Sequence, residues 1–499
     1  MAFPRIHISC GRNILSLLPV CGGWGTSLTR CLLFCVMSAV LCVPTVGHLR
    51  PEGIRIYTPE ITAEKATVVV EVETPRHEVP RGCLECELTD VTGAVVGKAS
   101  YCYDADDKAA ELHLPAIEIS YPMLWDIEAP SLYTAQVILR SNSGKVLQRV
   151  EIPFGIREVE FSNVFGMNLN TRKVPLRGIE LERQFMATIP PAEAVAALKG
   201  IGCNAVMLPA DMALERWLDA CDRQGMMVIG RLYDTWDDEG TGRWSMAWQH
   251  DIAEWTKGVR NHPSVVMWHL GDAPEADRAV PFDDGGVTPV RLMGVLLRRY
   301  DMGRPVSAGV NCSDTVAPAL LLEPDVVANR SDYVGATGVW RTTRPWLITL
   351  QTDAVVSDVA RCPLTDDEGD VGVVLSGLEG LFEDPGDWDG WKLSREGKWL
   401  STLWNNESVM YIMAGDRELD DPEVDFGATV RTDLEIISNA KRIDLNLDGR
   451  LLGTRVNRTD DPAQINRMMW EKLRLPRGTL EAVAYMPDGK ILRRTIILK

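Results

Sequence analysis

Two carboxylates near the middle of the chain could act as a general acid and a general base. Asp272 and Glu275 come directly after VVMWHLG, the apolar segment Val265–Gly271, which follows an Asn-His-Pro turn. A continuous apolar run of this length is typical of a parallel strand that is covered on both faces. Barrel enzymes place their catalytic groups just past the C-terminal ends of such strands. Asp272 and Glu275 are therefore the predicted catalytic residues.

The chain around this segment alternates apolar strands with helical segments. The segments PPAEAVAALKGIG and ALERWLDACDRQG have apolar residues at helical spacing and a glycine just past the end. Eight such repeats in roughly 220 residues predict a (β/α)8 TIM barrel. The predicted strands are Val174–Glu180, Asn204–Pro209, Met226–Leu232, Val265–Gly271, Pro305–Val310, Tyr333–Gly338, Pro345–Gln351 and Gly372–Leu378.

Short alternating runs such as TVVVEVE and RIDLNLDGRLLGTRV flank the barrel on both sides. This period of two, with Gly, Asn and Asp at the turns, is typical of β-sandwiches. Asp448-Gly449 and Asp488-Gly489 are strong hairpin signals. The predicted multidomain fold is an N-terminal Ig-like β-sandwich (52–161), a central TIM barrel (162–400) and a C-terminal Ig-like β-sandwich (401–499).

Charge and the N-terminal segment restrict the function classes. The 499-residue chain has a formal net charge of −18, which repels nucleic acid and anionic membranes, so no nucleic-acid partner is expected. Arg30 precedes an apolar run from Cys31 to Val43, which is too short to span a bilayer comfortably. Residues 1–47 are therefore predicted to be a signal peptide that directs a secreted, periplasmic or otherwise extracytoplasmic protein.

The twelve cysteines and seven histidines do not form a recognisable metal motif. Cys83 and Cys86 form a lone CxxC without the second pair that a zinc site needs, and they would point to opposite faces of a strand. We predict that both are ordinary half-buried thiols. No metal and no cofactor are expected.

Several segments together resemble glycoside hydrolase family 2, the β-galactosidase and β-glucuronidase family. They include PMLWDIEAPSLYT, PFGIREVEF, VPLRGIE, LKGIGCNAV, WLDACDRQGMMVI, RNHPSVVMWHLG, GRPVSAG and the C-terminal GTLEAVAYMPDGK. The resemblance covers nearly everything from about residue 52 to 499. It implies a carbohydrate partner, either a β-glycoside or a polysaccharide, and retaining hydrolysis by two carboxylates about 5–5.5 Å apart.

The expected catalytic pair is altered in this chain. The family carries its acid/base in an Asn-Glu pair after the fourth strand, where Asp272 and Ala273 stand here. Ala273 replaces the acid if no residue is deleted; with one deletion Asp272 takes its place, and Glu275 is a further candidate. The family's nucleophile ends the seventh strand, where Leu350 and Gln351 stand. An amide cannot form the glycosyl ester, because its oxygen is a much poorer nucleophile than a carboxylate.

The predicted rim of the barrel departs from the family in the same direction. Polar sugar-facing groups are replaced at the ends of the first, second, third, sixth and eighth strands. The residues at these positions are Glu182 or Arg183, Met207 to Ala210, Gly230 and Arg231, Ala336 to Gly338, and Leu375.

Side chains in and after the strands could still bind a sugar through aromatic stacking and hydrogen bonds. The predicted substrate-binding residues are Asp234, Trp236, Trp268, Trp340 and Glu379. The alternatives are packing roles for the tryptophans, a structural hydrogen bond for Glu379, and a loop or helix-capping role for Asp272.

Two functions are compatible with this pattern. The first is a secreted family member with lost or much reduced hydrolase activity, retained for glycan binding or as a scaffold. The second is an active glycosidase that cleaves O-glycosyl bonds with Asp272 or Glu275 as general acid and Asp353 or Glu379 acting through water. The second needs carboxyl groups about 6.5–9.5 Å apart.

Overall fold

A computed structural model describes most of the chain after the predicted signal segment. The described residues are 49–73, 79, 81–104, 109–209, 214–233, 247–272, 287–310, 326–330, 346–350, 356, 359, 370–378, 380–383, 391–415, 417–420, 423–425 and 431–499. Within them, no helix has the length and apolar character needed to cross a membrane.

The N-terminal part is a β-sandwich of two antiparallel sheets. Its strands are β1 (Ile54–Ile61), β2 (Lys65–Glu73), β3 (Gly82–Thr89), β4 (Val95–Tyr103), β5 (Glu111–His113), β6 (Ile117–Ser120), β7 (Tyr133–Ser141) and β8 (Val146–Phe154). One sheet has the order β1-β2-β5 with β6 also on β2, and the other has the order β4-β3-β7-β8. Burial alternates along β3, because one face of each strand packs into the core between the sheets.

A disulfide joins Cys83 of β3 to Cys102 of β4, which lie directly opposite each other. This corrects the prediction that Cys83 is an ordinary thiol. Cys86 points to the other face and is a free thiol, as predicted, but it is fully buried and not half-buried. The two cysteines meet because β3 and β4 pair, and the spacing of cysteines along the chain does not predict this contact.

A small antiparallel sheet connects the sandwich to the barrel. Its strands are β9 (Val159–Ser162), β10 (Gly166–Leu169) and β11 (Arg172–Lys173). Met167 and Leu169 of β10 pack against residues at the starts of barrel strands, such as Leu176 and Ala205. This sheet therefore closes the N-terminal end of the barrel.

Eight parallel strands form the closed barrel. They are β12 (Leu176–Glu180), β13 (Ala205–Pro209), β14 (Met227–Arg231), β15 (Val265–Asp272), β16 (Val306–Val310), β17 (Val326–Arg330), β18 (Trp346–Leu350) and β19 (Asp370–Ser376). Seven predicted strands match within a few residues. The prediction for the sixth barrel strand is wrong, because β17 occupies the position between β16 and β18 and pairs with both. Tyr333–Gly338 lies outside the described residues.

Helices pack around the barrel. They are α1 (Arg183–Thr188), α2 (Pro191–Gly200), α3 (Glu215–Gln224), α4 (Ala247–Val259), α5 (Val287–Tyr300) and α6 (Arg395–Trp404). Their buried side chains, such as Leu198 and Trp217, share one core with the outward residues of the strands. Helix α3 ends at Gly225 (φ 70°), where a Cβ would meet the Ile127 carbonyl oxygen at 2.4 Å. Only glycine fits this close approach to the first sandwich.

The C-terminal part is a second β-sandwich. Its strands are β20 (Met410–Ala414), β21 (Arg417–Glu418), β22 (Glu423–Val424), β23 (Arg431–Ser438), β24 (Arg442–Leu447), β25 (Arg450–Val456), β26 (Arg467–Arg474), β27 (Gly478–Tyr485) and β28 (Ile491–Leu498). Its two sheets have the orders β21-β20-β23-β26 and β22-β28-β27-β24-β25. Asp448 and Gly449, both with positive φ, connect β24 to β25, which confirms that hairpin.

Candidate functional site at the barrel mouth

Polar side chains form the upper layer of the barrel interior. Ile179 and Trp268 belong to the outer core between strands and helices, so the alternation along each strand turns Glu180 and His269 inward. Below them the interior is apolar and includes Met207 and Met267. Because C-terminal strand ends carry the chemistry of barrel enzymes, this polar layer is the candidate site.

An ion pair between Glu180 and Arg231 bridges the ends of β12 and β14. The two side chains are 19% and 12% exposed, so the pair is largely shielded from water. Arg231 Nε also donates to the Tyr233 carbonyl oxygen at 3.1 Å. These bonds commit the Glu180 carboxylate to a neighbouring cation and leave its remaining lone pairs as hydrogen-bond acceptors.

A cleft of about 400 Å³ opens above this ion pair. Its lining residues are Glu180, Leu181, Glu182, Arg183, Gln184, Pro209 and Arg231. Gln184 Nε2 donates to Glu182 Oε2 at 2.5 Å, which orders the first turn after β12. A cleft with alternating carboxylate, amide and guanidinium groups suits a ligand with several hydroxyl groups.

A buried hydrogen bond joins His269 of β15 to Ser307 of β16. The His269 Nδ1 and Ser307 Oγ atoms are 2.9 Å apart, and Ser307 Oγ lies 3.2 Å from the Trp268 carbonyl oxygen. If the hydroxyl donates to that carbonyl, Nδ1–H is the donor to Oγ. A serine whose proton is held by a carbonyl is not activated by the histidine, so this pair orders the strands instead of supplying a nucleophile.

Gly271 positions the end of β15 next to Tyr233. Its φ is +112°, and an added Cβ would meet the Tyr233 carbonyl oxygen at 2.6 Å. Asp272 follows as the last residue of the strand and pairs with Gly309 of β16. The backbone of Asp272 therefore reaches the barrel mouth, as the sequence predicts.

The other predicted site residues have different outcomes. Glu275, Asp234, Trp236, Trp340 and Glu379 lie outside the described residues, and their roles stay predictions.

The prediction that Trp268 binds the substrate is wrong. Its side chain is 1% exposed, belongs to the core between barrel and helices, and donates from Nε1 to Asp301 Oδ2 at 3.0 Å. A ring buried on the outer face of the strand cannot stack on a sugar at the mouth.

The inference that polar sugar-facing groups are lost around the barrel rim also changes. Ala336–Gly338 is not the end of the sixth strand, so it does not support a loss of polar groups there. Conversely, sequence reasoning missed Glu180 at the mouth and the buried pair His269 and Ser307 inside the barrel. For Glu180 the signal was a polar residue at the end of a short apolar strand, on the face opposite Ile179. Within the described ranges, no group of three or more His, Cys, Asp or Glu side chains could hold a metal ion.

Comparisons with known proteins agree on one family. The family model of glycosyl hydrolases family 2 matches residues 52–157, and a domain of unknown function (DUF4982) matches residues 430–493. Beta-galactosidase BoGH2A of Bacteroides ovatus is 27% identical over 196 residues, which cover 37% of this chain and 23% of that protein. A beta-galactosidase of Enterobacter cloacae is 28% identical over 180 residues, which cover 33% of this chain and 17% of that protein.

Solved structures share the fold over most of the described chain. A glycosyl hydrolase family 2 member from Bacteroides cellulosilyticus superposes with a TM-score of 0.73 at 23% identity, covering 90% of this chain and 63% of that one. Beta-glucuronidase of Parabacteroides merdae gives a TM-score of 0.68 at 16% identity, with coverages of 91% and 64%. The chain spans about a quarter of the length of the curated relatives it matches, 24% of a protein of Formosa agariphila and 23% of BoGH2A. Together, the sequence matches and the multidomain fold of sandwiches around a TIM-like barrel support the assignment of this chain to glycoside hydrolase family 2.

Proposed function

We propose that this chain is a carbohydrate-binding family member with lost or much reduced hydrolase activity. The supporting observation is the position of two strand ends. Strand β15 ends at Asp272, directly before Ala273, and β18 ends at Leu350, directly before Gln351. Retaining hydrolysis needs a carboxylate at each of these ends, about 5–5.5 Å from the other. The residues Trp346–Gln351 include no acid at all.

The Glu180–Arg231 ion pair supports the same proposal. A carboxylate paired with a guanidinium is stabilised in its charged form and shielded, so it is a weak nucleophile toward an anomeric carbon. The same pair can accept and donate hydrogen bonds to hydroxyl groups of a bound glycan without chemistry. We therefore assign Glu180 and Arg231 to ligand binding.

The proposed ligand is a β-glycoside or a polysaccharide. Proteins similar to this chain include a beta-galactosidase and a beta-glucuronidase, which act on such compounds. Asp234, Trp236, Trp340 and Glu379 are proposed to complete the binding site from the loops. The domain limits 52–161, 162–400 and 401–499, with Ig-like topology for both sandwiches, remain part of this proposal.

We also propose that the protein works outside the cytoplasm. Residues 1–47 have the pattern of a secretory signal peptide. The Cys83–Cys102 disulfide favours the same compartment, because disulfides persist in oxidising environments and are rare in the cytosol. Cell fractionation of the producing organism with an antibody against the barrel tests the location; a purely cytosolic signal would contradict it.

The test of activity compares the protein with two matched carboxylate variants. Asp272→Asn removes the remaining acid at the fourth strand end, whereas Asp219→Asn removes an exposed acid of α3 that pairs with Arg223 at 3.5 Å. We expect aryl β-galactoside and β-glucuronide turnover of all three proteins to equal the buffer rate across pH 4–8. Turnover that Asp272→Asn abolishes and Asp219→Asn preserves would overturn the proposal in favour of the active glycosidase.

Binding is tested separately with a glycan array and isothermal titration. We expect a glycan ligand whose affinity falls in Glu180→Gln and is unchanged in Asp219→Asn. If the folded protein binds no glycan on the array, the chain is a structural or partner-binding protein instead.

A further inference from the structure

A second cavity lies at the other end of the barrel, where the first sandwich meets the starts of β15 and β16. Its volume is about 370 Å³. Four chain segments enclose it: β1 from Arg55 to Ile61, the chain after β8 from Phe154 to Val159, the turn Arg260–Pro263, and the turn Asp301–Arg304. The mouth cleft lies at the C-terminal ends of β12, β13 and β14, and the two cavities share no lining residue, so they are distinct.

Arginines dominate the charged groups that line this cavity. They are Arg55, Arg157, Arg260 and Arg304, and the lining carboxylates are Glu158 and Asp301.

Two of these arginines have carboxylate partners. Arg304 Nη1 bonds to Asp301 Oδ2 at 2.7 Å, and Arg55 Nη1 lies 3.4 Å from Glu71 Oε2. Their charges are balanced within the fold.

The other two arginines bond to backbone carbonyls only, as far as the described residues show. Arg157 donates to the carbonyl oxygens of Pro263 and Val265, at 2.5 Å each. Arg260 Nη2 donates to the Glu52 carbonyl oxygen at 3.0 Å, and its buried Nε has no hydrogen-bond partner there. Arg260 is 91% buried, since its relative exposure is 9%. Carbonyl groups satisfy donors but do not neutralise a charge.

The pKa directions agree with an unbalanced positive charge. Burial, followed by the nearby Arg304 charge, lowers the pKa of Arg157 to about 9. Burial, followed by the Arg55 charge, lowers the pKa of Arg260. Both guanidinium ions are thus less stable at these positions than in water, and a bound anion would relieve this cost.

His262 contributes a further donor at the wall of the cavity. Its Nδ1 is 2.6 Å from Asp222 Oδ2, and Asp222 Oδ1 accepts from the Ser264 backbone N–H at 3.0 Å. These bonds fix the ring and leave Nε2 as the nitrogen that a ligand could meet. Asp222 itself is 2% exposed and committed to these partners.

We propose that this cavity binds a small oxyanion, with the guanidinium groups of Arg157, Arg260 and Arg55 as its main ligands. Phosphate, sulfate and the carboxylate of a uronic acid share the required chemistry, because each can accept paired hydrogen bonds from guanidinium groups. Since Arg55 belongs to the sandwich and Arg260 to the barrel, the anion links these two parts. This inference does not depend on the proposed glycan binding at the mouth.

Thermal unfolding with inorganic phosphate, sulfate and chloride at equal ionic strength tests the proposal. We expect phosphate or sulfate at about a hundredfold excess over Kd to raise the midpoint by about 3 °C relative to chloride. Arg260→Gln and Arg55→Gln should each weaken phosphate binding about tenfold in isothermal titration. Arg223→Gln, on the exposed face of α3, is the matched control and should bind like the parent protein.

Further measurements identify the source of the oxyanion and provide a test that does not depend on the folding of Arg260→Gln. Glucuronate tested against glucose shows whether an acidic sugar is the source of the oxyanion. If Arg260→Gln fails to fold by circular dichroism, Arg55→Gln and selenate anomalous density in crystals of the parent protein decide the question. Equal midpoints in phosphate, sulfate, glucuronate and chloride, together with no selenate at Arg157 and Arg260, would overturn the proposal and leave these arginines a purely structural role.

Discussion

The two ends of the barrel use charged side chains in different ways. At the N-terminal end, Arg157 and Arg304 donate mainly to backbone carbonyls of neighbouring segments, including that of Val265. At the mouth, Glu180 and Arg231 pair with each other. The arginines at the N-terminal end bond to backbone of separate segments and so determine how the sandwich packs on the barrel. At the mouth, Arg231 bonds to Glu180 and to backbone two residues away, so this pair can change without moving the sandwich. The N-terminal end thus carries stability, and the mouth is where function can vary.

The largest expected effect is on stability, from Asp301→Asn. Asp301 is 4% exposed and accepts from Trp268 Nε1 at 3.0 Å and from Arg304. Removing its charge leaves the Arg304 guanidinium buried without its carboxylate, which should cost about 3 kcal/mol in free energy of unfolding. Urea unfolding of the parent protein and the variant measures this loss. Asp219→Asn is the control and should change stability by less than about 0.5 kcal/mol.

The effect of Asp301→Asn should depend on pH. Burial opposes ionisation of Asp301, but the Arg304 charge and hydrogen bonds from Trp268, Arg304 and Gly303 outweigh it, so its pKa lies below the ordinary value. A carboxyl with a lowered folded pKa stabilises the fold fully above its unfolded pKa of about 3.9, and this is lost as pH falls through the folded pKa. The gap between parent and variant should be full at pH 7 and narrow below about pH 4. A gap that widens in acid would contradict this assignment.

The next largest effect is expected from Gly271→Ala at the mouth. The alanine would have φ near +112° and its Cβ 2.6 Å from the Tyr233 carbonyl oxygen, which should cost about 2 kcal/mol. Gly258→Ala in α4 is the matched control, because nothing lies within 4 Å of its added Cβ. That control should be neutral or stabilise by up to about 1 kcal/mol. Equal midpoints for the two variants would show that the end of β15 is not held by Tyr233.

The sequence predicts the scaffold better than the site for a physical reason. Apolar runs and their period are local properties, so seven barrel strands and the Asp448-Gly449 hairpin follow from them. The sixth strand fails because the local pattern favours Tyr333–Gly338, whereas pairing with β16 and β18 within the closed barrel selects Val326–Arg330.

Whether a strand residue belongs to the site depends on which face of the strand its side chain occupies. The backbone of Asp272 ends β15, directly after the apolar run, and its catalytic role stays a prediction. Trp268 directly precedes His269 and faces the opposite side of the strand, and an aromatic residue on a buried strand gives no sign of whether it faces the lumen or the helices. The Cys83–Cys102 disulfide and the four-arginine cavity likewise join segments that are distant in sequence.

A smaller effect should separate the mouth from the N-terminal end directly. In a double-mutant cycle of Glu180→Gln and Arg231→Gln, we expect a coupling of about 1 kcal/mol, because the side chains are only partly exposed. The exposed pair Asp219–Arg223 in α3 should couple by about 0.3 kcal/mol in the same assay. A coupling at Glu180–Arg231 as large as the loss in Asp301→Asn would remove the distinction between the two ends.

The smallest expected effect is on the chemical labelling of Cys203, which tests whether solvent and reagent reach the N-terminal end of the barrel. Burial raises the pKa of Cys203 to about 12, and its thiol donates to the Ala205 carbonyl oxygen at 3.0 Å. At pH 8 roughly one thiol in ten thousand would be ionised even if reagent could enter. We expect iodoacetamide to leave the Cys203 peptide unmodified in folded protein and to modify it in urea, as measured by mass spectrometry. After reduction, the exposed Cys102 should react in the folded protein and serves as the control. If Cys203 reacted as fast as Cys102, the N-terminal end of the barrel would be open to solvent, which would contradict its assignment as the end that carries stability.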